Sequence, residues 1–337
     1  MEQRDSMGRH YEVIIIGAGP AGIRCAEQLK GSFSILLIEK NKIIGPKICA
    51  GGITQADRHL DLPENRTRDF TSLKILFRNK AYTVNLSRPL KTIGRRDLGQ
   101  YQMEKLLTTG GITLLSHTRV LSIEKNRIQT TRGIFSFTYL IGADGSYSIT
   151  RRHLGLRSRF HFGLYCNIPR ITDEVVFSVN PHLFTFGYIW HFPHLEHTNI
   201  GIYFSPKYLS PQEAKSILRE YLGHLGYQGL AGTFRGAAVN YDYQGCVFGH
   251  IYLIGDAAGL ASKATGEGIS QALISGEEVG KKIQDPHYKM PELQKVVLWK
   301  RRQEMALKVC ECAPFLQGFL LMTFFKAIKR GWLLSHD

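Results

Sequence analysis

Apolar residues run almost unbroken from Tyr11 to Ile16 and stop at Gly17. A run of that kind predicts a short strand buried on both faces of a sheet. Pro20 to Lys30 is spaced as a helix, and Ile35 to Ile38 is a second apolar run, which together predict a βαβ-type unit. Leu73–Phe77 and Tyr82–Leu86, separated by Arg78-Asn79-Lys80, alternate as an antiparallel hairpin. A helix is expected over Asp97–Leu107, and strands over Ile112–Leu115, Val120–Glu124, Arg127–Thr131 and Phe135–Ile141. From Phe160 to Val239 aromatics and β-formers dominate, broken by one helical stretch, Pro211–Leu225, so this section reads as a separate sheet. Ile251–Ile254 returns to the buried-strand pattern, a helix follows from about Gly268, and the last fifty residues read as helical with an apolar end.

The turn after the first strand is Gly17-Ala18-Gly19-Pro20-Ala21-Gly22, a G-x-G-x-x-G that leaves a strand and opens a helix. Gly17 permits the tight turn, Gly19 lets a pyrophosphate approach the backbone, and Gly22 lets helix and sheet pack closely. The helix start offers free N–H groups to phosphate. Glu39, at the end of the second strand, stands where an acid bonds a ribose hydroxyl. FAD and NAD both satisfy this site.

Two later motifs bear on that choice. One is Tyr139-Leu140-Ile141-Gly142-Ala143-Asp144-Gly145-Ser146. The other is Ile251-Tyr252-Leu253-Ile254-Gly255-Asp256-Ala257-Ala258-Gly259, continuing to Thr265-Gly266-Glu267-Gly268-Ile269. Asp256 follows a buried strand and is placed to accept from a cofactor sugar hydroxyl. The helix that Gly266–Gly268 opens can face a flavin's pyrimidine edge, where the reduced ring is negative. Taken singly, each string is also an ordinary glycine-bearing strand-to-helix turn.

From Tyr11 to about Gly280 the three motifs resemble those of the p-hydroxybenzoate-hydroxylase-type FAD superfamily, and within it the geranylgeranyl reductase family. Pro46-Lys47-Ile48-Cys49-Ala50-Gly51-Gly52 is similar to that family's Lys-x-Cys-Gly-Gly stretch beside the flavin. Gly187-Tyr188-Ile189-Trp190-His191-Phe192-Pro193 with Asn199-Ile200-Gly201 is similar to its Tyr-x-Trp-x-Phe-Pro…Asn-x-Gly segment. Thr265–Ile269 matches its Thr-Gly-Glu-Gly-Ile loop. Ser262-Lys263-Ala264 departs from the Asp-Pro that commonly precedes the loop, and Arg95-Arg96-Asp97-Leu98-Gly99 only loosely echoes an Arg-x-x-Phe-Asp stretch.

The resemblance implies an α/β chain (α+β overall). A discontinuous Rossmann-type FAD-binding domain is expected over 1–70, 92–158 and 245–285. An interleaved antiparallel-sheet substrate domain is expected over 71–91 and 159–244, with a C-terminal helical segment over 286–337. It implies FAD contacts from Gly17, Ala18, Gly19, Pro20, Ala21, Gly22, Glu39, Lys40, Lys47, Cys49, Ala50, Arg96, Val120, Asp144, Gly145, Asp256, Gly266, Gly268 and Ile269. The implied activity is hydride transfer from reduced flavin to a double bond of a prenyl, geranylgeranyl-like substrate. The electron donor implied is NAD(P)H or a reduced ferredoxin-like protein. Two other readings share these motifs: an FAD-dependent monooxygenase or halogenase, and a non-catalytic redox-responsive flavoprotein.

Cys49, Trp190 and Tyr188 are the candidate catalytic residues. Cys49 would orient substrate or relay a proton; its bland alternative is a small inert thiol. Tyr188, Trp190 and Phe192 share a strand face, either as a wall over flavin and substrate or as plain core. His191, His194 and His197 recur every third residue, but Pro193 interrupts them and no metal site is expected. Arg95 or Arg96 would meet cofactor phosphate or stand in solvent.

The 337-residue chain carries 43 Lys+Arg against 28 Asp+Glu, a formal charge of +15, spread along its length. That balance favours anionic partners, and the absence of a nucleic-acid motif turns it toward cofactor and membrane surface. The apolar run Pro314–Phe325 followed by basic Lys326–Arg330 is too short to span a bilayer; it would either lie in the interface as a peripheral contact or pack on the protein. Six cysteines form no disulfide framework, Cys310-x-Cys312 alone being close, so a cytoplasmic setting is expected.

Overall fold

The computed structural model describes residues 9–53, 60, 62–77, 80–108, 110–180, 187–227, 229 and 233–312, and these form two eight-stranded sheets. The first contains β1 (His10–Ile16), β2 (Ile35–Ile38), β6 (Ile112–Leu115), β7 (Val120–Glu124), β8 (Arg127–Thr130), β9 (Gly133–Gly142), β15 (Val247–Phe248) and β16 (Ile251–Leu253). Its core is parallel, in the order β16-β9-β1-β2-β6. Ile16 pairs with Ile38 on one side and Gly142 on the other, so these strands end level. The loops after them (Gly17, Glu39, Asp144 and Asp256) therefore emerge on one edge, where an open α/β sheet binds ligands.

Helices cover this sheet. α1 (Pro20–Leu29) lies against α5 (Ile269–Gln284). The approach is close because Gly276 and Gly280 leave room for the Ala21 carbonyl and the Gln28 side chain. Arg24 Nη2 donates to Glu277 Oε2 at 2.6 Å across the pair. α2 (Arg95–Leu107) and the short α3 (Ile149–His153) complete the unit.

The second sheet has the order β14-β10-β13-β12-β11-β4-β5-β3. Its strands are β3 (Gly52–Ile53), β4 (Arg68–Phe77), β5 (Lys80–Thr92), β10 (Phe160–Ile168), β11 (Val175–Val179), β12 (Tyr188–Pro193), β13 (Thr198–Phe204) and β14 (Arg235–Asn240). All its pairs are antiparallel except β11 with β4. One face packs on α4 (Pro211–His224), with Ala214, Leu218 and Leu222 against Ile200 and Ile202. A capping box between Ser210 and Glu213 starts that helix. The other face gathers Leu73, Ile75, Tyr165, Trp190, Phe192 and Tyr203.

Three elements differ from expectation. The hairpin is longer, 68–77 and 80–92, because its extra residues mix core and solvent positions: Phe70 and Leu90 are buried, Thr71 and Arg88 are exposed, and exposed Asp69 meets the buried Lys91 at 2.5 Å. The two-residue strand β3, embedded among glycines, pairs Gly52 with Thr92, so the second sheet also takes residues from before position 71. α2 starts at Arg95, two residues before Asp97. α6 (Pro291–Cys312) follows α5; the Pro314–Phe325 run and its basic tail lie outside the described residues. Among the described residues no helix is long and apolar enough to cross a membrane.

Glu278, 1% exposed on α5, holds the start of α6: it accepts from Glu292 N at 2.9 Å and from Tyr288 Oη at 2.6 Å. A Glu278→Ala substitution leaves both half-buried donors without this acceptor and is expected to destabilise the fold by about 1–3 kcal/mol, measured by urea denaturation. Burial also holds His161, His191 and His194 neutral, lowering each to about 4. The folded state thus binds fewer protons than the unfolded chain below pH 6.5. Stability is full above that pH and falls as pH drops toward about 4, which a series of melts from pH 7.5 to 4 will show.

Candidate active site

A cavity of about 1490 Å³ runs along the carboxyl edge of the first sheet and onto the apolar face of the second. At its first end the glycine turn forms a cradle. Gly17 has φ +104°, and a side chain on it would overlap the Ala143 carbonyl; one on Gly22 would overlap the carbonyl of Gly17. Gly22 does not line the cavity and acts in packing. Gly19 caps α1 without any side-chain bond to the first-turn N–H groups, and Gly17, Ala18, Gly19, Pro20 and Ala21 face the cavity. Beside them the Glu39 carboxylate takes Ala18 N at 3.0 Å and Asn41 N at 2.9 Å, one per oxygen. Each oxygen keeps a lone pair for a sugar hydroxyl. Lys40 and Val120 line the same end.

Three cavity-lining side chains carry a buried polar atom without a hydrogen-bond partner among the described residues: Arg95 Nη1, Asp144 Oδ1 and Gln271 Oε1. Buried polar atoms are ordinarily satisfied, so this set fits a polar ligand with anionic groups, as a dinucleotide is. Arg95 is 8% exposed, whereas Arg96 points to solvent and does not line the cavity. Starting α2 at Arg95 turns that residue inward and its neighbour out. The Asp144 Oδ2 atom accepts from Ile149 N at 2.7 Å and Thr150 N at 3.1 Å, fixing α3 to the strand end; burial pushes its carboxyl above the usual range. Gly145 lies alongside.

Asp256 sits between the two halves. Its Oδ2 meets Lys47 Nζ at 2.6 Å and Ser146 Oγ at 3.1 Å, and its carbonyl takes Asn240 Nδ2 at 3.0 Å. The turn behind it is stitched by Arg151, 1% exposed, whose guanidinium donates to the carbonyls of Ala257, Asp242 and Arg157. Arg151 and Asn240 escape a reading of the sequence, since nothing in a single basic or amide residue announces that it will be buried.

On the second sheet, Tyr188, Trp190 and Phe192 line the cavity from one face. Trp190 Nε1 donates to Asn199 Oδ1 at 2.7 Å, and Asn199 Nδ2 to Asn167 Oδ1 at 2.9 Å. The indole lies directly on Gly201, where a side chain would overlap it. That explains an asparagine and a glycine two residues apart: one orients the ring and the other makes room.

Two tyrosines seat the loop that opens α5. Tyr188 Oη donates to the Thr265 carbonyl and Tyr203 Oη to that of Lys263 at 3.1 Å. Burial raises both phenols, so they stay protonated donors. From the other side α6 holds the same loop: Lys300 Nζ donates to the Ala261 carbonyl at 2.8 Å, and Ser262 Oγ to Gln303 Oε1 at 2.9 Å. Gly266, Gly268 and Ile269 then line the cavity.

The Cys49 loop bridges the two halves. Lys47 reaches Asp256, while Ile48 and Ala50 pack with the aromatic cluster of the second sheet. Cys49 is half-buried, with its sulfur 3.4 Å from Gly51 N. His194 Nε2 donates to the Ala50 carbonyl at 2.9 Å. His191 instead pairs with Tyr221 Oη at 2.9 Å, and His197 stacks on His194. Gly201→Ala is expected to push Trp190 off its seat, shifting tryptophan emission and lowering stability by about 1–3 kcal/mol, read by fluorescence and melting.

No family model matches the chain. An uncharacterized protein of Methanosarcina barkeri is 30% identical over 290 residues, covering 80% of this chain and 73% of the relative. The digeranylgeranylglycerophospholipid reductase of Methanocaldococcus jannaschii is 27% identical over 310 residues, covering 81% and 78%. Among solved structures, a geranylgeranyl bacteriochlorophyll reductase-like protein of Thermoplasma acidophilum superposes with a TM-score of 0.75 at 21% identity, covering 89% of this chain and 88% of that one. A flavin-dependent brominase shares the fold at a TM-score of 0.69 and 16% identity, covering 97% and 94%. With the Cys49 loop, the Tyr188–Pro193 strand and the Thr265–Ile269 loop all lining one cavity, the chain belongs to the geranylgeranyl reductase family of FAD-dependent oxidoreductases.

Proposed function

We propose that the protein reduces a carbon–carbon double bond of a prenyl, geranylgeranyl-like substrate. The observation that carries this reading is the continuity of the cavity: the nucleotide cradle opens without a wall into an apolar chamber lined by Leu73, Ile75, Phe177, Val179 and Trp190. Such a chamber suits a hydrocarbon chain and keeps water away.

Glu39 would hold the adenosine ribose, Gly17–Ala21 and Arg95 the pyrophosphate, Asp256 a ribityl hydroxyl, and the α5 start the pyrimidine edge. FAD held there, once reduced by NAD(P)H or a ferredoxin-like protein, would supply a hydride for one alkene carbon. The neighbouring carbon takes a proton, and Cys49, at the junction of cradle and chamber, is the group assigned to orient the alkene or relay that proton. Trp190 and Tyr188 align the substrate, since an unactivated double bond reacts only when held close and still. Tyr188 also keeps the flavin-facing loop in place through Thr265.

The test is anaerobic. Reduced, FAD-loaded protein is mixed with geranylgeranyl diphosphate while flavin reoxidation and product mass are followed. Reoxidation with a gain of two hydrogens supports the reading. Oxygen uptake coupled to NAD(P)H oxidation, without alkene reduction, would assign the site to hydroxylase or halogenase chemistry. Bound flavin that no donor reduces would point to a redox-responsive flavoprotein. The cofactor assignment has its own check: Arg95→Met is expected to weaken FAD binding about tenfold through loss of a charge-assisted bond. Arg96→Met, outside the cavity, leaves the affinity unchanged in the same fluorescence titration.

A further inference from the structure

The surface of α6 that faces away from the core is composed unlike the rest of that helix. Leu298, Met305 and Val309 are 51%, 68% and 46% exposed. At 3.6 residues per turn these positions fall within about 40° of one another, so they form one stripe. Arg302 borders it on one side, Arg301 and Lys308 on the other, and all three are exposed. The acids of the helix are turned elsewhere: Glu292 pairs with Lys295, Glu304 with Lys300, and Glu311 with Lys263 and Lys207.

The next face around the helix belongs to the cavity. Trp299, Arg302, Ala306 and Leu307 line it, so Arg302 borders both the stripe and the rim. The same helix holds the flavin-facing loop through Lys300 and Gln303. An apolar stripe flanked by cations, beside the mouth of an apolar cavity, matches an anionic bilayer: acyl chains for the stripe, headgroups for the flanks.

We propose that this face of α6 docks on an anionic lipid surface and sets the cavity mouth against it. A water-insoluble substrate would then pass from bilayer to chamber without crossing water. That purpose rests on the prenyl-reductase reading; the docking does not, and is measured with lipids that hold no prenyl group.

The FAD-loaded full chain is sedimented with vesicles of phosphatidylcholine alone or mixed with phosphatidylglycerol. The expected result is partition onto the mixed vesicles that weakens as salt rises. Arg301→Glu with Lys308→Glu should lower it by on the order of tenfold or more, at about fivefold per cation. Leu298→Glu with Met305→Glu should lower it at least as far. None of these four lines the cavity, so flavin content and melting are expected to hold; if the apolar pair does not fold, the cationic pair carries the test. The proposal is overturned if the wild-type chain ignores anionic vesicles or if the cationic pair partitions like wild type. Light scattering that shows a dimer which Leu298→Glu with Met305→Glu dissolves would also overturn it, giving the stripe to a second copy.

Discussion

Backbone against backbone is the constraint on which this molecule rests. At the end of β1, Gly17 lies under the Ala143 carbonyl and Gly22 under the carbonyl of Gly17, distances at which no side chain fits. This contact draws strand, helix and the Asp144 loop together at one point. Because β16, β9, β1 and β2 are paired level at their carboxyl ends, Glu39 and Asp256 arrive at the same edge. A single methyl group at either glycine would have to separate elements that the whole cradle needs together.

The second sheet extends that edge into one continuous cavity. Its apolar face would otherwise be an ordinary core surface; here it opens into the cavity, and polar links behind it keep the aromatic rings in register. Trp190 is set by Asn199, Tyr203 and Tyr188 are anchored on carbonyls of the loop before α5, and His194 pins the loop of Cys49. These contacts tie side chains far apart in sequence to the three segments that surround the cradle. The stretch Ser262-Lys263-Ala264, where the chain departs from the family pattern, is also where α6 attaches, through Gln303 to Ser262 and through Lys300 to the carbonyl of the preceding Ala261. Ser262 accepts from two backbone N–H groups of the turn that follows, Ala264 and Thr265, and so supplies local rigidity of the kind a proline gives elsewhere.

Patterns set by local physics were legible in the sequence. The strands at Ile35–Ile38, Ile112–Leu115 and Val120–Glu124 have the limits their patterns suggest, and the glycine turns stand where a strand meets a helix. Less legible were features decided by partners distant in sequence. The outer parts of β4 and β5 carry polar residues on a solvent face, which hides them from a search for apolar runs. Arg95 and Arg96 cannot be told apart until the first turn of α2 is placed, because two residues shift a side chain from solvent to core. Arg151 is buried by three carbonyls, two of them about 90–110 residues along the chain from it. Of the three regularly spaced histidines, His191 turns to Tyr221 while His194 and His197 stack on each other, a division that only the strand and turn around Pro193 decide.

The proposed reaction makes one physical demand above others: that the cavity join a nucleotide cradle to a hydrocarbon chamber with the flavin ring at the junction. A crystal structure of the protein grown with FAD and a saturated prenyl analogue addresses it directly. Predicted are the adenosine ribose on Glu39, phosphate oxygens against Arg95 and the start of α1, and the ring between the Cys49 loop and the start of α5, with the analogue beside Trp190. A flavin ring lying elsewhere, or an analogue bound apart from the second sheet's apolar face, would contradict it.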